Sequence, residues 1–133
     1  MNIPDSDAYR TVLEQQVQVH ASRPVTLIIV DDIADWAALG KRKIVGNPAA
    51  TSGKDLETGA WEIVLRRSYD ANQVAGILSR IIVIEALRTL STPDRFLRHL
   101  VLHELAHLEN EWGQDREDDC DKWAYEKLFA IAI

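Results

Sequence analysis

Two histidines four residues apart, His103 and His107, are the residues of this 133-residue chain best suited to chemistry. On a helix, such residues lie about 40° apart around the axis and one turn apart along it, so both imidazoles can reach one metal ion. Glu104 lies at the edge of the same face, where it can contact a water molecule but not easily the metal. This HExxH arrangement predicts a zinc site with His103 and His107 as ligands and Glu104 as general base.

A third ligand is expected after the motif, because catalytic zinc usually takes three protein ligands. The acidic candidates are Glu109, Glu111, Asp115, Glu117, Asp118, Asp119 and Asp121. Glu109 lies about 200° from His107 around the same helix and therefore points away from it.

The last predicted helix separates the remaining acids. Glu117 and Asp121 share the face that carries small and aliphatic residues. Asp118 and Asp119 lie toward the outer side. If the small and aliphatic face points inward, Glu117 is the leading third ligand, and Asp121 can accept the other N–H of a zinc-bound histidine. The alternative is a solvated helix N-terminus whose acidic charge suits the helix dipole.

Two other residues near the motif are not predicted to be metal ligands. His99 lies eight residues, about 12 Å along the axis, before His107, so the three histidines cannot share one ion. His99 is expected to be a hydrogen-bonded neighbour. Cys120 is a poor nucleophile, because the carboxylates beside it would raise the pKa of its thiol.

Composition narrows the class of protein. The net charge of −6 argues against a broad nucleic-acid surface, and the basic cluster at residues 41–43 is expected to be a solvated loop. No signal peptide and no membrane span is expected. A single cysteine excludes an internal disulfide, so a cytoplasmic location is expected. We expect one domain over residues 1–133.

Hydrophobic periodicity predicts an α+β fold, with a small sheet of about three strands beside a helical layer that holds the metal helix. The predicted helices span residues 6–21, 71–90, 93–111 and 115–130. Val25–Val30 is predicted to be a strand buried on both faces. Residues 61–67 alternate as in a half-exposed strand near a sheet edge. Residues 40–60 indicate a loop, with at most a short strand at 43–45. Ile33–Leu39 is ambiguous, and Trp36 is expected in the core.

The sequence HELAH at residues 103–107, followed by EDDCDKWA at 117–124, resembles the zincin pattern HExxH…ExxxD/NxxA. Residues 93–130 are similar to gluzincin-type peptidases, including the ImmA/IrrE-like group. In those families the glutamate is the third zinc ligand and the residue four positions later supports the site, which maps to Glu117 and Asp121. Cys120 stands where these families usually have alanine. The resemblance implies a zincin-like fold, one Zn²⁺ ion, and a substrate lying along an edge strand that residues 61–67 resemble by position.

These features predict a zinc-dependent metallopeptidase with a protein or peptide substrate and no nucleic-acid or membrane partner. The resemblance to the ImmA/IrrE-like group implies a regulatory role, and the small size of the chain indicates a flexible or very particular protein target. Two other classes stay open. One is a zinc-binding regulatory or protein-interaction module with little or no turnover, and the other is a helical interaction domain without metal.

Overall fold

A computed structural model of the chain describes residues 1–40, 42, 44, 46–55, 57–81 and 86–129, without the side chains of residues 86 and 87. Its helices are α1 (Arg10–His20), α2 (Ile33–Leu39), α3 (Ala71–Arg80), α4 (Ala86–Thr89), α5 (Pro93–Asn110) and α6 (Glu117–Leu128). Its strands are β1 (Val25–Val30), β2 (Ala50–Lys54) and β3 (Trp61–Arg66). Short 3₁₀ turns at Ser6–Tyr9 and Gln114–Arg116 precede α1 and α6.

The strands form one mixed sheet in the order β1-β3-β2. β1 runs parallel to β3, with Val25 opposite Trp61. β2 runs antiparallel to β3, with Ala50 opposite Leu65. The sheet packs beside α1 and α5, and the predicted α+β class is therefore confirmed.

The central strand, β3, is buried on both faces, so the prediction of a half-exposed strand near the sheet edge is wrong. One face contributes Trp61, Ile63 and Leu65 to the main core. On the other face, Glu62 and Val64 are also buried. Glu62 tolerates this burial because Arg42 pairs with its carboxylate at 2.5 and 3.3 Å. Arg42, expected in a solvated loop, is thus part of the structure around β3.

The two outer strands also differ from expectation. β1 forms over the predicted residues, but Thr26 is exposed and Ile28 only half-buried, so it is not covered fully on both faces. β2 lies inside the segment predicted to be a loop, because its sequence ATSGK lacks the β-branched alternation that predicts a strand. The short strand suggested at 43–45 falls partly on residues 43 and 45, which lie outside the described residues.

Several helix boundaries were predicted incorrectly. The single helix expected over residues 71–90 does not form, because Ile81 is extended (ψ 122°) after α3 ends; residues 82–85 lie outside the described part. α6 begins at Glu117, later than the cap expected at Asp115. Ile33–Leu39 is helical, and Trp36 is half-buried beneath the Arg42 guanidinium, not within the core.

The helix that carries the motif, α5, begins and ends close to the predicted residues. The Thr92 side chain caps it by accepting a hydrogen bond from the Arg95 N–H, and Pro93 occupies the first turn. The helix ends at Glu111, whose left-handed conformation (φ 54°) turns the chain sharply. That turn directs the Trp112 carbonyl back toward His107.

The Thr92 cap is expected to contribute about 1 kcal/mol to the free energy of unfolding, since Thr92→Ala leaves helix N–H groups unpaired. Thr92→Asn keeps a side-chain acceptor and should retain most of that stability. Urea unfolding of both variants measures the difference. Equal stability of Thr92→Ala and wild type would show that the cap contributes nothing to the motif helix.

Candidate metal centre

The predicted site lies where α5 and α6 pack against each other, with β2 beside α5. Residues of α5 from Leu100 to Ala106 are buried. This burial includes the polar side chains of His103 and Glu104, while His107 is half-buried. Cys120, Asp121 and Ala124 of α6 are buried against this region. The inward-facing side of α6 is therefore the small and aliphatic side expected from the sequence.

Glu117 lies between the two motif histidines. One of its carboxylate oxygens is 2.9 Å from the Nε2 atom of His103, and the other is 2.8 Å from the Nε2 atom of His107. The imidazole rings lie edge to face, with centroids 5.1 Å apart. Three donor groups from two helices thus converge on one small volume.

The other nitrogen of each ring is already engaged. The Nδ1 atom of His107 lies 2.7 Å from the Trp112 carbonyl oxygen, which can only accept, so Nδ1 carries the proton. The Nδ1 atom of His103 lies 2.7 Å from the Asp121 carboxylate. In a neutral imidazole, a proton on Nδ1 leaves a lone pair on Nε2. Both Nε2 lone pairs would then face the negatively charged Glu117 carboxylate. This arrangement is repulsive unless a positive charge lies between the nitrogens and the carboxylate.

Asp121 connects His103 to a third histidine. Its Oδ1 atom accepts from the His103 Nδ1–H at 2.7 Å and lies 3.0 Å from the Nε2 atom of His99. His99 is buried, and its Nδ1 atom has no hydrogen-bond partner in the described structure. His99 is therefore a hydrogen-bonded neighbour, and it holds the carboxylate that orients His103.

Glu104 is buried beside this group. One of its carboxylate oxygens lies 4.0 Å from the Nε2 atom of His103, so it faces the same volume as Glu117. Burial raises the pKa of Glu104, which the nearby His103 and His107 and a hydrogen bond from the Ser52 side chain partly oppose. A raised pKa makes this carboxylate a stronger proton acceptor, which is what a general base requires.

Hydrogen bonds within the site favour a protonated His103 and ionised Asp121 and Glu117 carboxylates. Burial alone would lower the pKa of His103, but the hydrogen bonds to Asp121 and Glu117 raise it to about 10. Burial alone would raise the pKa of Asp121, but the hydrogen bonds from His103 and His99 hold it at about 2. The hydrogen bond to His103 also lowers the pKa of Glu117. Without a metal ion, a proton on His103 supplies the positive charge that the carboxylates require.

Two adjoining clefts open onto the site. One, of about 610 Å³, is bordered by Thr51 and Ser52 of β2, His107 and Trp112. The other, of about 390 Å³, is bordered by Ile77, Arg80 and His99. Pro48, Ala50, Glu104 and Glu117 border both clefts. The site therefore lies at the junction of two open spaces, with β2 running past it.

The structure brings together His103, Glu104, His107, Glu117 and Asp121, the five residues selected from the sequence. Of the acids that were set aside, Glu109 accepts from the Ser22 N–H and Asp119 pairs with Arg116, whereas Asp118 is exposed at the border of the smaller cleft.

Sequence reasoning missed the Trp112 carbonyl, the Ser52 hydroxyl and the closeness of Cys120. The first two depend on chain turns and strand pairing that have no local signal. The position of Cys120 did have a local signal, because Cys120 falls on the same helix face as Glu117.

Metal-binding groups cluster here in two overlapping sets. The ligand atoms of His103, His107 and Cys120 lie within 4.8 Å of one another, as do those of His99, His103 and Asp121. Imidazole, carboxylate and thiol donors suit Zn²⁺ better than Mg²⁺ or Ca²⁺, which prefer oxygen ligands. The donor set therefore fits a transition-metal cation.

Comparison of the chain with family models, curated proteins and solved structures gives no match. Among the described helices, none combines the length and the apolar character that crossing a membrane requires.

The metal-free protein should lose stability as the pH rises through the titration of His103. Because its folded-state pKa is raised from 6.5 to about 10, the stabilisation is complete below pH 6.5 and is lost toward pH 10. The slope should reach at most about 1.4 kcal/mol per pH unit. Urea unfolding in the presence of chelator measures it, and His103→Asn should remove the slope. A stability that stays level between these pH values in wild type contradicts the described contacts.

Loss of the Asp121 carboxylate should weaken binding of zinc, the cation predicted from the sequence, by roughly 10- to 100-fold, because His103 loses the acceptor that orients it. Asp121→Asn is the variant, and competition with a chromophoric chelator measures the dissociation constant. Asp118→Asn, an exposed neighbour on α6, removes the same charge without that contact. Equal weakening in both variants would mean that only net charge matters.

Proposed function

We propose that the chain is a zinc-dependent metallopeptidase with a zincin-like active site. One observation supports this most strongly: the Nε2 atoms of His103 and His107 face a single carboxylate, Glu117, while their Nδ1 atoms are held by other acceptors. This is how a neutral-histidine zinc site is pre-organised. His103, His107 and Glu117 would hold the ion, and zinc would supply Lewis acidity toward a carbonyl and toward water.

Glu104 would transfer the proton, first as general base and then as general acid. Its carboxylate is buried near His103 and borders both clefts, so it can reach a water molecule at their junction. In the proposed reaction, Glu104 accepts the proton of the attacking water and later delivers it to the leaving amine. Ser52 donates a hydrogen bond to the carboxylate and so fixes its direction. Asp121 and the Trp112 carbonyl keep both imidazoles in the tautomer that ligation needs.

The substrate would lie along β2, not along the strand that the sequence suggested. β3 is the central strand of the sheet, whereas β2 pairs with β3 on one side only within the described residues. Residues of β2 border the cleft next to Glu104 and His107. An extended peptide can add to such a free strand edge through main-chain hydrogen bonds. A short, open groove of this kind suits a flexible segment of a particular protein target, consistent with a regulatory role.

A zinc-binding regulatory module with little turnover is the second candidate. The observation that favours it is Cys120, whose thiol lies close to both motif histidines on the buried side of the site. A fourth protein ligand would leave no open position for water.

Replacing Glu104 separates these two functions. Glu104→Gln should reduce the hydrolysis of casein or of a mixed peptide digest by at least about 100-fold, because the general base is lost. Bound zinc should stay equimolar, since the amide replaces no ligand. Glu109→Gln is the matched control on the same helix, where the side chain contacts Ser22 and not the site.

Unchanged hydrolysis in Glu104→Gln would contradict the proposed mechanism. Zinc binding with no cleavage by wild-type protein would instead support the regulatory module.

A further inference from the structure

Cys120 is a buried thiol that the proposed peptidase mechanism does not use. Its side chain is 0% exposed, and no hydrogen bond to its sulfur is found among the described residues. Its Sγ atom belongs to a group, with His103 and His107, in which the ligand atoms lie within 4.8 Å of one another. Zinc binds cysteine sulfur and histidine nitrogen alike, so this position is close enough for a thiolate ligand after a small side-chain shift.

Cys120 and Glu117 both lie close to the two imidazoles but differ in burial. Glu117 is one helical turn earlier on α6, and its side chain is 51% exposed. Cys120 is fully buried on the same helix face. A cation bound by the two imidazoles would therefore have the exposed carboxylate toward solvent and the buried thiol toward the protein interior.

We propose that Cys120 is a fourth ligand, which closes the metal centre as a four-coordinate site of two nitrogen, one oxygen and one sulfur donor. On binding, the S–H bond breaks, a sulfur–metal bond forms and one proton passes to solvent, with no change in oxidation state. Because a closed site has no open position for water, the Cys120 thiolate must leave the cation before the peptidase reaction proposed above can begin, and Cys120 thereby sets the resting activity of the centre. This inference rests on the metal centre of the proposed function.

A sulfur ligand also changes which cations the centre accepts. Soft thiolate favours zinc, cadmium and cobalt over magnesium and manganese, whereas a carboxylate alone discriminates less. The proposed centre is therefore a site for thiophilic divalent cations.

Cobalt substitution tests the fourth ligand directly. The purified full chain is loaded with Co²⁺ alone, and its absorption is recorded in the near ultraviolet, where cobalt–thiolate charge transfer appears, and in the visible, where the bands report coordination geometry. The wild-type spectrum is decisive by itself, because Cys120 is the only cysteine of the chain. We expect a charge-transfer band in wild type and its complete loss in Cys120→Ser and Cys120→Ala, with visible bands retained. Circular dichroism verifies that the variants fold.

Three results are informative. The expected pattern supports sulfur ligation. Visible cobalt bands without a charge-transfer band in wild type overturn the fourth ligand but leave the histidine–carboxylate centre of the proposed function intact. Absence of any bound cobalt overturns both.

Discussion

The constraint on which this structure depends is electrostatic: two imidazole nitrogens and a carboxylate face one another in a partly buried volume. Each His Nδ1 atom has an acceptor of its own, the Asp121 carboxylate or the Trp112 carbonyl. The lone pairs of both Nε2 atoms therefore point at the Glu117 carboxylate, which is unfavourable unless a cation lies between them. In the metal-free protein, a proton on His103 can supply this positive charge, as the raised pKa of His103 indicates. A divalent cation supplies a larger positive charge and leaves both rings neutral, which is why we propose zinc.

The surrounding fold keeps these groups from relaxing apart. Residues such as Phe96, Leu97 and Val101 anchor α5 in the main core and so keep the helix face that carries its histidines toward the site. α6 packs on it through Cys120 and Ala124, small side chains that allow a close approach. Tyr69, buried against Phe96, donates its hydroxyl to the Ala49 carbonyl at 2.6 Å and so holds the start of β2 beside the site. Each contact is structural, yet together they fix the distances on which the proposed chemistry depends.

The parts that sequence reasoning predicted well are those with local signals. The α5 helix follows from Thr92, Pro93 and a helical apolar stripe, and the side of α6 that faces inward follows from its periodicity. Sheet order has no such signal, because it is set by pairing between distant segments. The alternation in β3 was therefore misread: Glu62 looked like a solvent-facing residue, whereas a partner twenty positions earlier, Arg42, allows it to be buried.

The same limit applies at the site. Glu117 and Asp121 could be selected because they share a helix face with small residues. The Ser52 hydroxyl and the Trp112 carbonyl could not, because each reaches the site only through the tertiary path of the chain.

The most direct test of the account is a crystal structure of the protein grown with zinc, with anomalous data collected on both sides of the zinc absorption edge. We expect one anomalous peak per chain, within ligand distance of the Nε2 atoms of His103 and His107 and of the Glu117 carboxylate. No peak at this position, or a peak with the Glu117 side chain turned away and no other acid in its place, would contradict the account.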